Sequence, residues 1–311
     1  MTTGQAPYFD EIADGPAEVS VRWLTTADGV RIRAAFWPLA GAQGTILMLP
    51  GRTEYVEKYG RAAADLVARG YSAILIDWRG QGMADRAGDP MIGHIDNFAQ
   101  FQTDLDAVRD MAERLNAPKP WYMIAHSMGG CIGLRALHNR FPVESAVFSG
   151  PMWGLKTSLP QRAVGWTVSS MVAATGLFRY TRVLGTSSGS YVLTDPFEDN
   201  VLTSDLDMWQ YMRRQTEEIE GAALAGPSLQ WLFAALVETR RLQRLPAPPY
   251  QAITFLGTNE SVVDTAPIHR IMDKWPNGRL VLCEGCEHEI IIERPEVRKD
   301  FFNQAEALFS A

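Results

Sequence analysis

Ser127 stands in the run Ala125-His126-Ser127-Met128-Gly129-Gly130, where a short apolar stretch gives way to a helical one. A serine hydroxyl is a weak nucleophile at neutral pH and needs an adjacent base. A sharp strand-to-helix turn, with small residues two before and two after the serine, lifts such a hydroxyl above a sheet. Ala125 and Gly129 meet that requirement, Ala125 adding one methyl group to the usual glycine. The backbone N–H of Met128 then becomes one donor to the oxyanion of an acyl-transfer intermediate. Five histidines could supply the base: His94, His126, His138, His269 and His288. His288 lies in a loop between the last apolar strand and the closing helix, which gives the chain order serine, acid, histidine of this arrangement. His126 adjoins the serine but points elsewhere, His138 and His269 sit in helices, and His94 precedes a helix where it caps or packs. The acid belongs in the loop 257–264, which offers Glu260 and Asp264. Loop order favours Glu260. Asp264 is the alternative, and Asp is also a preferred helix N-cap. Either type can orient an imidazole and stabilise its charged form.

Those residues need a frame. Residues 19–24 and 30–37 alternate apolar with polar around Ala27-Asp28-Gly29, the pattern of a hairpin. Continuous apolar runs at 45–49 and 72–77 predict buried strands, and 121–125, 145–148, 251–256 and 279–283 predict further strands. Helical periodicity separates them at 55–68, 97–115, 128–139, 267–275 and 295–309. This alternation predicts an α/β fold with a mostly parallel eight-stranded sheet and helices on both faces. From Met152 to about residue 246 the alternation stops. Helical spacing continues, as at 207–219 and 229–242, and the stretch ends at Pro246-Ala247-Pro248-Pro249. A core of 1–151 and 247–311, interrupted by a helical lid of 152–246, is the expected organisation.

Lys plus Arg number 29 and Asp plus Glu 36, a net charge of −7, so no electrostatic footprint for nucleic acid is present. The N-terminus has neither a basic start nor an apolar stretch, which gives no secretory signal. The uncharged run 163–178 is shorter than the roughly 20 residues of a membrane span. Cys131, Cys283 and Cys286 are too few for a disulfide framework, and the single Cys283-x-x-Cys286 lacks the second pair of a zinc site. The expectation is a cytoplasmic enzyme needing no cofactor or metal.

His-Ser-Met-Gly-Gly resembles the elbow of the lysophospholipase and monoacylglycerol lipase branch of the α/β hydrolases. Pro50-Gly51-Arg52-Thr53-Glu54 is similar to that branch's oxyanion loop, and Asp77-Trp78-Arg79-Gly80-Gln81-Gly82 to the turn after its fourth strand. The likeness runs from about Val19 to Phe309 and weakens in the insertion. Arg52 is more similar to the bacterial inner-membrane lysophospholipases than to monoacylglycerol lipases. The resemblance implies Glu260 as the acid, the Arg52 N–H as second oxyanion donor, and release of a fatty acid from a lysophospholipid or monoacylglycerol through an acyl-enzyme. It also implies a lipid-like ester as the partner, with peripheral contact at the inner face of a membrane through the lid.

The segment 163–178 carries Trp166, Met171 and Phe178 with no charge, although a solvated helix keeps a charged face. It is expected to line an acyl tunnel with its mouth at Ser127, with Trp153, Trp166 and Met171 as substrate contacts, or simply to pack on the core. Arg52 at the mouth would meet a phosphate, or else pair with Glu54. Two other enzyme readings stay open: a small-ester esterase, and a proline-iminopeptidase-like peptidase using Glu217, Glu218 and Glu220. Serine at the elbow argues against dehalogenases and epoxide hydrolases, and three available triad members argue against a non-catalytic binding module.

Overall fold

The computed structural model describes residues 2–156 and 159–311. Nine strands form one sheet: β1 (Thr2–Gln5), β2 (Ser20–Thr25), β3 (Arg31–Trp37), β4 (Thr45–Leu49), β5 (Ser72–Asp77), β6 (Trp121–His126), β7 (Ser145–Ser149), β8 (Gln251–Gly257) and β9 (Gly278–Cys283). The helices are α1 (Asp10–Ala13), α2 (Gly60–Ala68), α3 (Ala99–Arg114), α4 (Ser127–His138), α5 (Leu159–Thr175), α6 (Tyr191–Thr194), α7 (Leu206–Glu218), α8 (Leu229–Leu242), α9 (Thr265–Met272) and α10 (Pro295–Phe309).

The strand order is β1-β2-β3-β5-β4-β6-β7-β8-β9, antiparallel through the β3–β5 pairing and parallel beyond it. Every residue of β4, β5, β6 and β7 is buried, because helices cover both faces of a parallel sheet. One apolar layer joins the sheet to α3, α4 and α8 through Phe101, Leu105, Ile132 and Trp231. The opposite layer joins it to α2 and α10 through Leu66, Phe301 and Phe302.

The sheet has nine strands where eight are expected from the sequence. The additional strand, β1, is Thr-Thr-Gly-Gln. It contains no apolar alternation, and it joins as an edge by backbone pairing to β2, which leaves no hydrophobic signal to read.

Between β7 and β8 the chain forms α5 to α8 and two isolated bridges, Leu155 with Val263 and Arg182 with Ser228. Side-chain caps fix two of these helices: Asp205 accepts from the Met208 N–H, and Ser228 from the Trp231 N–H. Among the described residues, no helix is long and apolar enough to cross a membrane.

Candidate active site

The order in which the parallel strands are added reverses at β4. The connection after β4 leads to β5 on one side, while β6 pairs on the other. A crevice opens at the carboxyl ends of strands at such a point. Arg52 follows β4 there, and Ser127 follows β6. Ser127 has φ of 50°, a left-handed conformation that costs on the order of 1 kcal/mol or more for a non-glycine residue. The turn leaves no room beneath it. A Cβ on Gly129 would lie 2.0 Å from the Leu49 carbonyl oxygen, and one on Gly130 would lie 2.5 Å from Pro151 Cβ.

His288 Nε2 lies 2.9 Å from Ser127 Oγ, and His288 Nδ1 lies 2.6 Å from Glu260 Oε2. The other Glu260 oxygen accepts the N–H groups of Val262 (2.6 Å) and Val263 (3.0 Å). Burial raises the Glu260 carboxyl, but the hydrogen bond and charge of His288 and these two N–H donors outweigh it, so the net shift is downward. An ionised carboxylate therefore faces the imidazole. Asp264 instead caps α9, accepting from the Ala266 N–H at 3.2 Å.

Beneath this line lies a buried charged cluster. Glu54 accepts from Lys58 Nζ at 2.8 Å, from the Tyr59 hydroxyl at 2.7 Å, and from the Gly51 N–H. Lys58 Nζ also donates to Glu289 at 2.8 Å. His126 Nδ1 lies 2.9 Å from the Ser149 carbonyl oxygen, and its Nε2 lies 3.8 Å from Glu54. Burial raises Glu54, but the Lys58 charge and the hydrogen bonds bring it down to about 2. Burial and Glu54 push Glu289 up. Burial brings the His126 imidazole down to about 4, so it is neutral. Ligand atoms of Glu54, His126 and Glu289 lie within 4.8 Å of one another. The Lys58 ammonium bonded to both carboxylates supplies the positive charge that a metal ion would otherwise bring.

The turn after β5 grips the loop after β4. Trp78 Nε1 donates to the Pro50 carbonyl at 2.9 Å, and Gln81 Nε2 to those of Gly51 (2.7 Å) and Glu54 (3.1 Å). Arg52 and Met128 both line a cavity of about 480 Å³ that also reaches Ser127 and His288. Met152, Leu155, Met212, Leu224, Trp231 and Val263 give it a largely apolar wall. A backbone N–H in the first turn of a helix has no intrahelical acceptor, which suits Met128 to an oxyanion.

Arg52 does not pair with Glu54, because Lys58 occupies that carboxylate. Its Nη2 donates to the carbonyls of Ile92 (3.0 Å) and Ala225 (2.6 Å), its Nε has no hydrogen-bond partner among the described residues, and it lies 5.5 Å from the centre of the Trp231 ring. Burial without a facing carboxylate brings the guanidinium down to about 9.

Of the four expected substrate contacts, the structure brings only Arg52 to this cavity. Trp153 is fully buried behind α4, donating to the Gly130 carbonyl at 3.1 Å. Trp166 lies against Phe233 and Arg240 in a separate groove. Met171 is 63% exposed. The uncharged segment misled because α5 shows much of its apolar side to solvent. Glu217, Glu218 and Glu220 are exposed and do not line the cavity. His94 bridges Ser228 and Asp96. Sequence reasoning missed Lys58, Glu289, Trp78 and Gln81. The Glu54/Lys58 spacing of four residues was the one available signal.

The chain is similar to several known hydrolases. "Probable lysophospholipase L2" of Haemophilus influenzae is 25% identical over 94% of this chain and 95% of its own length. "Lysophospholipase L2" of Escherichia coli K12 is 26% identical over 90% of this chain and 86% of its own. A soluble variant of Saccharomyces cerevisiae monoglyceride lipase superposes with a TM-score of 0.71 at 18% identity, covering 98% of both chains. A Bacillus coagulans carboxyl esterase gives 0.73 at 13%, covering 95% of this chain and 99% of its own. These structures share the α/β-hydrolase fold. The family model described as serine aminopeptidase, S33 (Hydrolase_4) matches residues 40–295, and the chain belongs to that family of serine hydrolases.

Proposed function

We propose that this protein hydrolyses a carboxylic ester of a single-chain lipid, a lysophospholipid or a monoacylglycerol, through an acyl group carried on Ser127. The observation that carries the reading is the continuous line Glu260–His288–Ser127 opening onto a largely apolar cavity. His288 Nε2 takes the serine proton as Oγ attacks the ester carbonyl, and the Arg52 and Met128 N–H groups receive the oxyanion. The imidazolium, held by ionised Glu260, returns the proton to the leaving alcohol. Water, deprotonated by the same nitrogen, then releases the fatty acid.

The names carried by the bacterial relatives support the lysophospholipid arm. Arg52 supports it on physical grounds, since a buried guanidinium without a carboxylate partner gains from an anionic head group. The exposed Met171, Leu177, Phe178 and Leu184 support lid contact with a lipid surface. Arg179 and Arg182 lie among them, and no acidic residue occurs from Pro151 to Thr194. A chain so acidic overall thus offers an apolar and basic face to anionic lipid.

The test is a hydrolysis panel of lysophosphatidylcholine, lysophosphatidylethanolamine, monoacylglycerols, short nitrophenyl esters and prolyl amides. Long-chain lysophospholipids should be preferred, and Ser127→Ala should lose on the order of a million-fold in turnover. Wild-type turnover in that variant, or a preference for acetyl esters or prolyl amides, overturns the proposal.

A further inference from the structure

Cys283 ends β9 and Cys286 begins the loop to His288. The Cys286 N–H donates to the Cys283 carbonyl at 3.3 Å, closing a four-residue turn over Glu284 and Gly285. Gly285 has φ of 67°, the conformation that the third position of a type II turn demands. The Cα atoms that end such a turn lie within about 7 Å, and a disulfide needs about 4.4–6.8 Å. The Cys286 thiol donates to the Glu284 carbonyl at 3.6 Å, and the two thiols are close enough to shift each other's ionisation, Cys283 up and Cys286 down. Cys283 is half-buried and Cys286 lies beneath it, fully buried, with Arg294 Nη2 4.0 Å from its sulfur. Cys131 is the remaining cysteine and is buried in α4.

The same turn is tied to the loop that carries Glu260. The Thr258 N–H donates to the Cys283 carbonyl (3.0 Å), the Asn259 N–H to that of Cys286 (3.1 Å), and the Gly285 N–H to the Thr258 hydroxyl (2.8 Å). A Cβ on Gly257 would lie 2.3 Å from the carbonyl oxygens of both Cys286 and Glu287, so the two loops cannot move apart or together independently.

We propose that Cys283 and Cys286 are a reversible oxidation site, whose intramolecular disulfide shifts the loop bearing His288 and slows turnover. Hydrogen peroxide is the oxidant. The Cys286 thiol and burial hold the Cys283 thiol up, so only a small fraction of it ionises and oxidation is slow. That thiolate, the one solvent reaches, attacks one peroxide oxygen, the O–O bond breaks, and the departing hydroxide takes up the released proton as water. Cys283 is then a sulfenic acid. The Cys286 sulfur attacks Cys283 Sγ, the S–O bond breaks, and the oxygen leaves with the Cys286 proton as a second water. Two thiols are oxidised to one disulfide, and one peroxide is reduced to two waters. The neighbouring Cys283 thiol and Arg294 favour the thiolate at Cys286 against the effect of burial, and the thiolate is the nucleophilic form. Forming the bond draws the two sulfurs together to about 2.05 Å, and Cys286 is only two residues from His288.

The effect on turnover rests on His288 being the base; the oxidation itself does not. Purified full-length protein is treated with dilute hydrogen peroxide, and half is then reduced with dithiothreitol. Intact mass should fall by two hydrogen atoms, and non-reducing peptide mapping should join Cys283 to Cys286. Turnover of a nitrophenyl ester should fall about tenfold, the scale of a small displacement of a catalytic group, with KM little changed and full recovery on reduction. Cys283→Ser should resist the inactivation, and Cys131→Ser should behave as wild type. Sulfinic acid at Cys283 without the cross-link overturns the proposal, as does a cross-linked protein of unchanged turnover. Should the reduced protein hydrolyse no ester, that failure falls on the proposed function, and the peptide map still decides whether the disulfide forms.

Discussion

Lys58 Nζ lies 2.8 Å from Glu54 and 2.8 Å from Glu289, so a single ammonium ties the loop after β4 to the residue that follows His288. Glu54 in turn receives the Gly51 N–H, next to Arg52. The two halves of the proposed site, the loop of the proposed oxyanion donor Arg52 and the proposed base His288, are joined through one side chain.

Lys58→Met should therefore damage both stability and rate. It leaves two buried carboxylates facing each other, and breaking a buried ion pair in this way costs about 3–5 kcal/mol. Chemical denaturation should show that loss. In whatever folded fraction remains, kcat should fall more than KM rises. The triple change Lys58→Met, Glu54→Gln, Glu289→Gln should recover stability without recovering kcat. Unchanged kcat in Lys58→Met would reduce the lysine to a structural ion.

Glu260→Gln should cut turnover by about 10⁴-fold, the scale seen when an amide replaces the acid of such a triad. Asp264→Asn should leave kcat near wild type and cost about 1 kcal/mol or less, as a weakened helix cap. Parallel steady-state kinetics on the two variants checks this, and the reverse outcome would move the acid to Asp264.

Arg52→Ala should lower kcat/KM for a lysophospholipid by about tenfold or more, the worth of one charge-assisted hydrogen bond. On a monoacylglycerol of the same acyl chain the loss should be much smaller. Equal losses on both would leave Arg52 as a strut between the Ile92 and Ala225 carbonyls.

His126 should make stability pH-dependent on the acid side. Buried and held down to about 4, it stays neutral in the folded protein, whereas an unfolded histidine takes a proton near pH 6.5. Between those values the unfolded state binds more protons, so stability falls as pH falls from about 6.5 toward 4. Urea titrations across that window should show a slope that flattens in His126→Asn. An identical slope in the variant would assign the dependence to other groups.

The sheet was legible because its strands are either apolar runs or, in the hairpin 19–37, apolar–polar alternation, and all eight expected strands lie within a residue or two of their observed ends. Ser127, His288 and Glu260 could be named because chain order and turn chemistry are local properties. The residues of the cavity wall could not. Trp153 and Trp166 have the composition of a lipid contact, but their faces are decided by how α5, α8 and α9 pack, which is a long-range outcome. Lys58 was invisible for a similar reason, since its second partner, Glu289, lies 231 positions away in the chain.

The connection from β7 to β8 carries a consequence for engineering. The chain leaves β7 at the sheet's carboxyl edge and re-enters β8 at the opposite edge, so some element must traverse the full depth of the molecule. Helix α8 does this. It buries Trp231, Ala235 and Leu242 in the core and ties itself to α4 through Glu238 and Arg135 at 2.5 Å. Helix α7 is anchored as well: it buries Met208, Trp209 and Met212 in the opposite layer, and its Tyr211 hydroxyl donates to the Ala13 and Glu57 carbonyls. A chimaera that exchanges only the largely exposed stretch 176–185 for a homologue's should keep a folded hydrolase, whereas one that continues the exchange through α7 and α8 replaces beams of the building.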